Sequence, residues 1–326
     1  MILVTGAAGY IGGYLINKLL EYEKFADYEI ISIDNFIVGY RENYNLIKKD
    51  KRVKLLEGDI TDKDTLKELL KDVEIVYHLA AISGVNACNN HPDLALKINV
   101  EGTLNLLEES VKNNVEYFIF PSSCAVYGNV KDEIAIENMK IEPLNKYGAM
   151  KASCEALCNA YYHSYGLKTV ILRFTNIYGV GNYPKWRTVV ANFIKRTLSK
   201  EPLIIHGSGE QKRDFIHIDD VIEIYKLVIN KNAEGETFNT GSGYTATIKE
   251  LAEIVCKIAM EKGLNPEIKF VEKREAKERF ISYDITKIKE KLNFKPKYDV
   301  ESGIRKTFND IENILKKGFR EYQRVL

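Results

Sequence analysis

The sequence predicts an α/β fold: a doubly wound parallel sheet followed by a smaller C-terminal α/β lobe. Three observations carry that expectation. The first half alternates short apolar runs with segments of helical period, the pattern of a parallel sheet covered on both faces. A glycine-rich turn follows the first run and opens the first helical segment. The chain has 326 residues, 45% of them hydrophobic, enough for a large core.

Taken in order, Ile2–Thr5 reads as the first strand and 11–20 as the first helix. Strands at 29–33 and 53–56 follow, then a helix at 65–70 and a strand at 74–79. A long helix is expected at 94–113, a strand at 117–120, a helix at Lys146–Tyr165 and a sixth strand at 169–173. After Thr175 the pattern loosens. Residues 179–184 read as loop, 188–198 as helix, Leu203–His206 as strand and 219–229 as helix. Segments 247–260, Ile268–Val271 and the stretch from Val300 complete the chain. Residues 1–174 therefore form the expected first domain, with a re-entrant segment at about 214–240, and 175–326 are mainly the second lobe. Internal repeats and low-complexity linkers are absent from the sequence.

Lys plus Arg number 47 and Asp plus Glu 46, a net charge of +1, so charge gives no argument for nucleic acid or an anionic membrane. No apolar run reaches the ~18 residues of a membrane helix. The first strand begins at Met1, which leaves no room for a signal peptide and sets a cytoplasmic expectation. The five cysteines are odd in number and irregular in spacing, against a disulfide framework. Cys154 and Cys158 share a helical face, but with no second pair or His cluster they read as buried thiols, and no metal site is expected.

The turn Gly6-Ala7-Ala8-Gly9-Tyr10-Ile11-Gly12 lets backbone approach a pyrophosphate at a helix N-terminus. Asp34 ends the second strand, 22 residues after Gly12, where a carboxylate accepts from ribose hydroxyls and repels a 2′-phosphate. That pair describes a Rossmann-type dinucleotide site and favours NAD over NADP. Asn35 follows without an adjacent Arg, and Arg41 looks too distant to serve a 2′-phosphate. Asp59 and Ile60 end the third strand, where an acid can reach an adenine edge. His78, read as structural, precedes Leu79, Ala80 and Ala81, which include small residues where a cofactor must pass close. Gly102, just after Asn99 in a helix, costs stability against Ala and signals close packing. Ser122 and Ser123 follow the fifth strand, on the ligand side of such a sheet. Tyr147 and Lys151 are four apart on one helical face, where an ammonium lowers a phenol pKa that starts near ~10. Such a tyrosine is a usable base for hydride chemistry on an alcohol.

With these motifs in place, the sequence resembles the extended short-chain dehydrogenases/reductases from Met1 to about Lys297. The segments Leu172–Gly179 and Gly207–Asp220 narrow the resemblance to the nucleotide-sugar-modifying branch, most like the UDP-glucose 4-epimerase (UDP-galactose 4-epimerase) group. In that branch 4,6-dehydratases usually place an Asp-Glu pair, and UDP-glucuronate decarboxylases a Glu, before the Tyr-Gly that ends the Ser-rich segment. Cys124 and Ala125 stand there in this chain. The resemblance implies NAD-dependent inversion at C4 of a UDP-hexose, with UDP-glucose and UDP-galactose as the pair, through a transient 4-keto sugar and a retained NAD. Tyr147 is the implied base, Ser123 bonds the reacting oxygen, and Lys151 tunes Tyr147 and holds the nicotinamide ribose.

The implied NAD contacts are Gly6, Gly9, Tyr10, Ile11, Gly12, Asp34, Asn35, Asp59, Ile60, Leu79, Ala80, Ala81, Asn99, Ser122, Tyr147 and Lys151. The implied substrate contacts are Ser123, Tyr147, Asn176, Arg187, Asn192, Arg213 and Arg274, with Tyr244 a further candidate. The chain departs from the family pattern at Arg274-Glu275-Ala276-Lys277, where Arg-Pro-Gly-Asp is usual. Ile281 stands where the family admits or refuses a C2 N-acetyl group, and its bulk favours non-acetylated hexoses. Lys185, Trp186 and Arg187 would also suit a uronate, so UDP-glucuronate and UDP-N-acetylhexosamine 4-epimerases, and other nucleotide-sugar oxidoreductases of this fold, remain alternatives. The resemblance further implies a homodimer paired through the helices at 94–113 and 146–165.

Overall fold

The structure, a computed structural model, describes residues 1–130, 134–272 and 282–317. Seven strands build one parallel sheet: β1 (Ile2–Thr5), β2 (Ile30–Asp34), β3 (Val53–Glu57), β4 (Ile75–His78), β5 (Tyr117–Ser123), β6 (Lys168–Phe174) and β7 (Thr237–Thr240). Their spatial order is β3-β2-β1-β4-β5-β6-β7. The order reverses between β1 and β4, and ligands of open parallel sheets bind outside the carboxyl ends of the strands at such a reversal.

Apart from the edge strand β3, whose residues are half-buried or exposed, the apolar runs are continuous because both faces of the sheet are covered. Successive side chains point to opposite faces. Ile2, Val4, Ile30, Ile75, Tyr77, Ile119, Val170 and Leu172 therefore enter one core. Their neighbours Leu3, Ile31, Val76, Phe118, Phe120 and Ile171 enter the other. Helices Gly12–Leu20 and Ile218–Leu227 close the first face through Leu15, Leu19, Val221 and Tyr225. The second lobe has its own core, in which Phe193, Ile205, Phe215, Val255 and Phe308 are buried. It holds a three-stranded sheet of Asn176–Tyr178, Lys212–His217 and Thr245–Thr247, with Leu203–His206 paired to Ile268–Val271 alongside.

Two elements differ from the sequence expectation in ways that matter for the site. β5 runs on through Pro121 to Ser123 because β6 still pairs with it there, Pro121 opposite Leu172 and Ser123 opposite Phe174. On the other side β4 pairs only as far as Ile119, so the missing Pro121 N–H interrupts no ladder. The expected single helix at 94–113 is a composite of Pro92–Leu96, a π-helical turn at Lys97–Glu101 and Gly102–Lys112. The Asn99 carbonyl accepts from the Thr103 hydroxyl at 2.5 Å and from the Cys154 thiol at 3.1 Å, which competes with ordinary helical bonding. Gly102 ends this turn, and a Cβ there would lie 2.6 Å from Ile60 Cδ1.

Candidate active site

A cleft of about 800 Å³ opens at the carboxyl ends of β1, β2, β4 and β5, and residues of the second lobe form its other wall. The glycine-rich turn is its floor. Gly6 has φ +71°, and a Cβ on it would sit 2.7 Å from the Ala80 backbone nitrogen. A Cβ on Gly12 would overlap the Gly6 carbonyl. Only glycine leaves room here for two backbone segments to close on each other. Asp34 stands at the end of β2, its Oδ2 accepting from Ala8 N at 2.9 Å and its Oδ1 from Phe36 N at 2.8 Å. Each carboxylate oxygen keeps a further lone pair for a hydroxyl donor.

Behind the turn runs a directed chain of hydrogen bonds. Ala80 N–H donates to the Thr5 hydroxyl at 3.0 Å, and that hydroxyl lies 2.9 Å from His78 Nδ1. His78 Nε2 lies 2.8 Å from the Thr103 hydroxyl, which donates onward to Asn99 O. The Thr103 proton is thus committed, so His78 must donate through Nε2 and accept at Nδ1. Burial holds this imidazole down at about 3. His78 is a neutral structural link between β1, β4 and the π-helical turn.

Tyr147 and Lys151 lie on Lys146–Tyr165, capped by Asn145, whose Oδ1 accepts from Gly148 N at 2.9 Å. Gly148 lets the first turn of this helix lie against Ala125, since a Cβ would be 2.6 Å from its carbonyl oxygen. That contact brings Tyr147 beside Ser123, and both line the cleft with Lys151. The expectation that Lys151 lowers Tyr147 meets a different geometry. Lys151 Nζ donates to Pro121 O at 2.6 Å and lies 4.6 Å from the centroid of the Phe120 ring. This carbonyl is available because β4 has already ended at that level of the sheet. Burial lowers the pKa of Lys151 itself. The Tyr147 phenol is pushed up to about 12, first by burial, while its hydrogen bond with Ser123 pulls it back.

Ser122 also lines the cleft, but its hydroxyl donates to Glu155. Glu155 is ion-paired to Arg173 at 2.7 Å, both side chains being buried. Arg173 in turn donates to Tyr127 OH at 2.7 Å and to Glu137 O at 2.9 Å. Asn99 is buried behind the wall, its amide clamping Ile82 by accepting from its N–H at 2.8 Å and donating to its carbonyl at 3.0 Å. Asp59 accepts from Asn35 Nδ2 and Thr61 N, each at 2.8 Å. These three side chains are turned to protein partners.

Gly6, Gly9, Tyr10, Ile11, Gly12, Asp34, Asn35, Ile60, Leu79, Ala80 and Ala81 all line the cleft. On the facing wall stand Asn176, Arg187 and Arg213, joined by Lys185 and Gln211. Asn176 Nδ2 donates to Asp214 O at 2.9 Å, and the buried Asp214 carboxylate is held by Thr175, Ser242 and Gly243. Asn192 and Tyr244 are exposed. Arg274 and Ile281 lie outside the described residues. The segment 82–87 is a wall the sequence reading missed. Its one local signal is Gly84, which has φ +98° and precedes the short helix Val85–Asn90. Cys124 is buried, its thiol donating to Arg173 O at 3.1 Å.

Residues 2–241 match the model of the NAD dependent epimerase/dehydratase family. The chain belongs to that family. A Methanocaldococcus jannaschii protein provisionally named a UDP-glucose 4-epimerase is 36% identical over 317 residues, 96% of this chain and 99% of that protein. The UDP-glucose 4-epimerase of Thermotoga maritima, solved with UDP-glucose, superposes with a TM-score of 0.87 at 34% identity, over 96% of this chain and 99% of that one. The UDP-glucuronic acid 4-epimerase of Bacillus cereus, solved with UDP-glucuronic acid and NAD, gives 0.86 at 31%, over 96% and 99%. This chain is therefore an NAD-dependent enzyme of the epimerase/dehydratase family. Its cleft fits NAD on its own evidence: the glycine turn leaves a backbone cradle that a Cβ would fill, and Asp34 closes the end of β2. Among the described residues no helix is long and apolar enough to cross a membrane.

Proposed function

We propose that the protein interconverts UDP-glucose and UDP-galactose by inverting C4 of the sugar through a transient 4-keto intermediate. One observation carries the choice of reaction within the family. Asp34, at the β2 end, is the one carboxylate among the described residues lining the cleft. Elimination of water from a hexose needs an acid/base beside C5 and C6. The positions after Ser123 are instead a buried thiol and an alanine, and proton chemistry at the sugar falls to Tyr147.

On this reading Gly6, Gly12 and Asp34 hold NAD, which when bound takes up a hydride and returns it. Tyr147 takes the proton of the 4-hydroxyl and gives it back. Tyr147 rests as a neutral phenol, and each positive charge brought beside it favours the phenolate. Ser123 bonds the same oxygen and favours the ionised form of Tyr147. Arg213 and Arg187 supply guanidinium forks suited to a diphosphate, with Asn176 beside them. Exposed Leu96 and Leu104 support pairing of two copies through the composite helix.

The test is a panel of nucleotide sugars incubated with the protein without added NAD and separated by chromatography. Interconversion of UDP-glucose and UDP-galactose is expected. Turnover of UDP-glucuronate alone would move the substrate and keep the reaction; Lys185 and Arg187 on the cleft wall favour that second reading. No turnover of any UDP-sugar would remove the proposal.

A further inference from the structure

Arg41 is not remote from the cofactor end of the cleft. Asp34 and Glu57 are direct partners in the β2–β3 register, so the two carboxylate residues leave the sheet side by side. Arg41 comes back to this point on the 3₁₀ turn Arg41–Leu46. Both of its terminal nitrogens donate to the two carboxylate oxygens of Glu57. Its guanidinium also lies 4.4 Å from the centroid of Phe36, two residues past Asp34. The loop between them is pinned. Phe36 has φ +58° and packs edge-on against Tyr44 at 5.1 Å. A Cβ on Gly39 would lie 2.7 Å from Ala8 Cβ, and Asn43 Nδ2 donates to Ala8 O at 2.6 Å. Ile37, Val38 and Gly39 of this loop line the cleft beside Asp34.

We propose that Glu57 selects the cofactor by holding Arg41, so that the mouth of the cleft refuses a 2′-phosphorylated adenosine nucleotide. The inference rests on the reading of this cleft as an NAD site. Asp34 repels a 2′-phosphate by its charge, and Glu57, beside it in the sheet, occupies the Arg41 guanidinium fork. A fork that matches a carboxylate bidentately matches a phosphate in the same way, so the two anions compete for Arg41. The Arg41 and Glu57 side chains are 63% and 55% exposed, and ion pairs so exposed contribute little to folding. The pair is therefore dispensable for the fold, and its effect is on the charge that an incoming nucleotide meets.

The experiment measures binding, not turnover, on the full chain freed of nucleotide. Calorimetry with 5′-AMP and with 2′,5′-ADP separates the adenosine site from the 2′-phosphate site. Glu57→Gln in an Asp34→Asn background is expected to bind 2′,5′-ADP about tenfold more tightly than Asp34→Asn alone, the scale of one charge-assisted contact. Affinity for 5′-AMP should not change between the two, and the gain should shrink as salt rises. Adding Arg41→Ala should abolish the gain. Equal 2′,5′-ADP affinity with and without Glu57→Gln overturns the role of Glu57. A gain that survives Arg41→Ala overturns the capture of Arg41, because Glu57 would then act by its own charge alone. Failure of the unsubstituted chain to bind 5′-AMP overturns the cofactor reading and this inference with it.

Discussion

Replacing Ser123 with alanine tests the centre of the proposed chemistry. The Ser123 hydroxyl lowers the Tyr147 pKa against the burial that pushes it up to about 12. A hydrogen bond to a charged group contributes about 1.5–3 kcal/mol. One pKa unit corresponds to about 1.4 kcal/mol, so Ser123→Ala should raise Tyr147 by about 1–2 units. Below its pKa a base loses tenfold of its active form per unit, so kcat near pH 7 should fall by about 10–100-fold. The acidic limb of the kcat profile should move alkaline by the same 1–2 units. Ser123 Oγ also accepts from Ala125 N at 3.2 Å, a single long bond whose loss should leave the fold intact by circular dichroism. The assay is the initial rate of UDP-galactose conversion between pH 6 and 10 for the wild type, Ser123→Ala and Ser123→Thr, each loaded with oxidised NAD, whose positive charge beside Tyr147 draws the acidic limb down into that range. Threonine keeps the hydroxyl and should restore the limb. A fall in kcat with the limb unmoved would refute the tuning role and leave Ser123 as a substrate contact only.

Gly6→Ala should abolish NAD binding, because the added Cβ meets the Ala80 backbone and φ +71° strains any side chain; nucleotide released from the denatured protein measures it, and full occupancy would refute it. Arg173→Met should destabilise the protein by about 3–5 kcal/mol by leaving Glu155 buried and unpaired, and urea unfolding followed by circular dichroism would read the loss. A loss under about 1 kcal/mol would show that Glu155 finds another partner. Burial holds His217 down at about 4 against an ordinary 6.5. Its stability contribution is therefore complete above pH 6.5 and fades as pH falls towards 4, by up to about 1.4 kcal/mol per pH unit. His217→Gln should flatten the urea midpoint across that window, and an unchanged slope would place the dependence elsewhere. Asn99→Ala should strip the Ile82 N–H of its acceptor and leave the Ile82 carbonyl only the Cys88 thiol, and so speed amide exchange in 82–87, read by mass spectrometry.

The sheet was legible in the sequence because its signals are local. A strand covered on both faces is an unbroken apolar run, a parallel connection needs a helix between strands, and a close backbone approach admits only glycine. Gly6 and Gly12 with Asp34 could thus be read as a nucleotide turn, Gly102 as a packing constraint and His78 as structural. The spacing of Tyr147 and Lys151 placed both on one helical face. The absence of carboxylates at Cys124 and Ala125 was equally plain, and it bears directly on which reactions the family member can perform.

What the sequence could not decide were the partners of polar side chains, since those are fixed by chain segments far apart in number. Ser122 and Glu155 are 33 residues apart, Asn99 and Ile82 17, and Arg41 and Glu57 16. Lys151 meets Pro121 O because β4 stops short of β5, a matter of strand lengths that no local period records. Burial around Tyr147 likewise depends on the assembled cleft, which raises its pKa where the Tyr-x-x-x-Lys spacing alone argues for lowering it. Side-chain type and local spacing by themselves determined the sheet and which groups could do chemistry; the packing of remote segments decided which of those groups face the cleft and which are spent holding its walls.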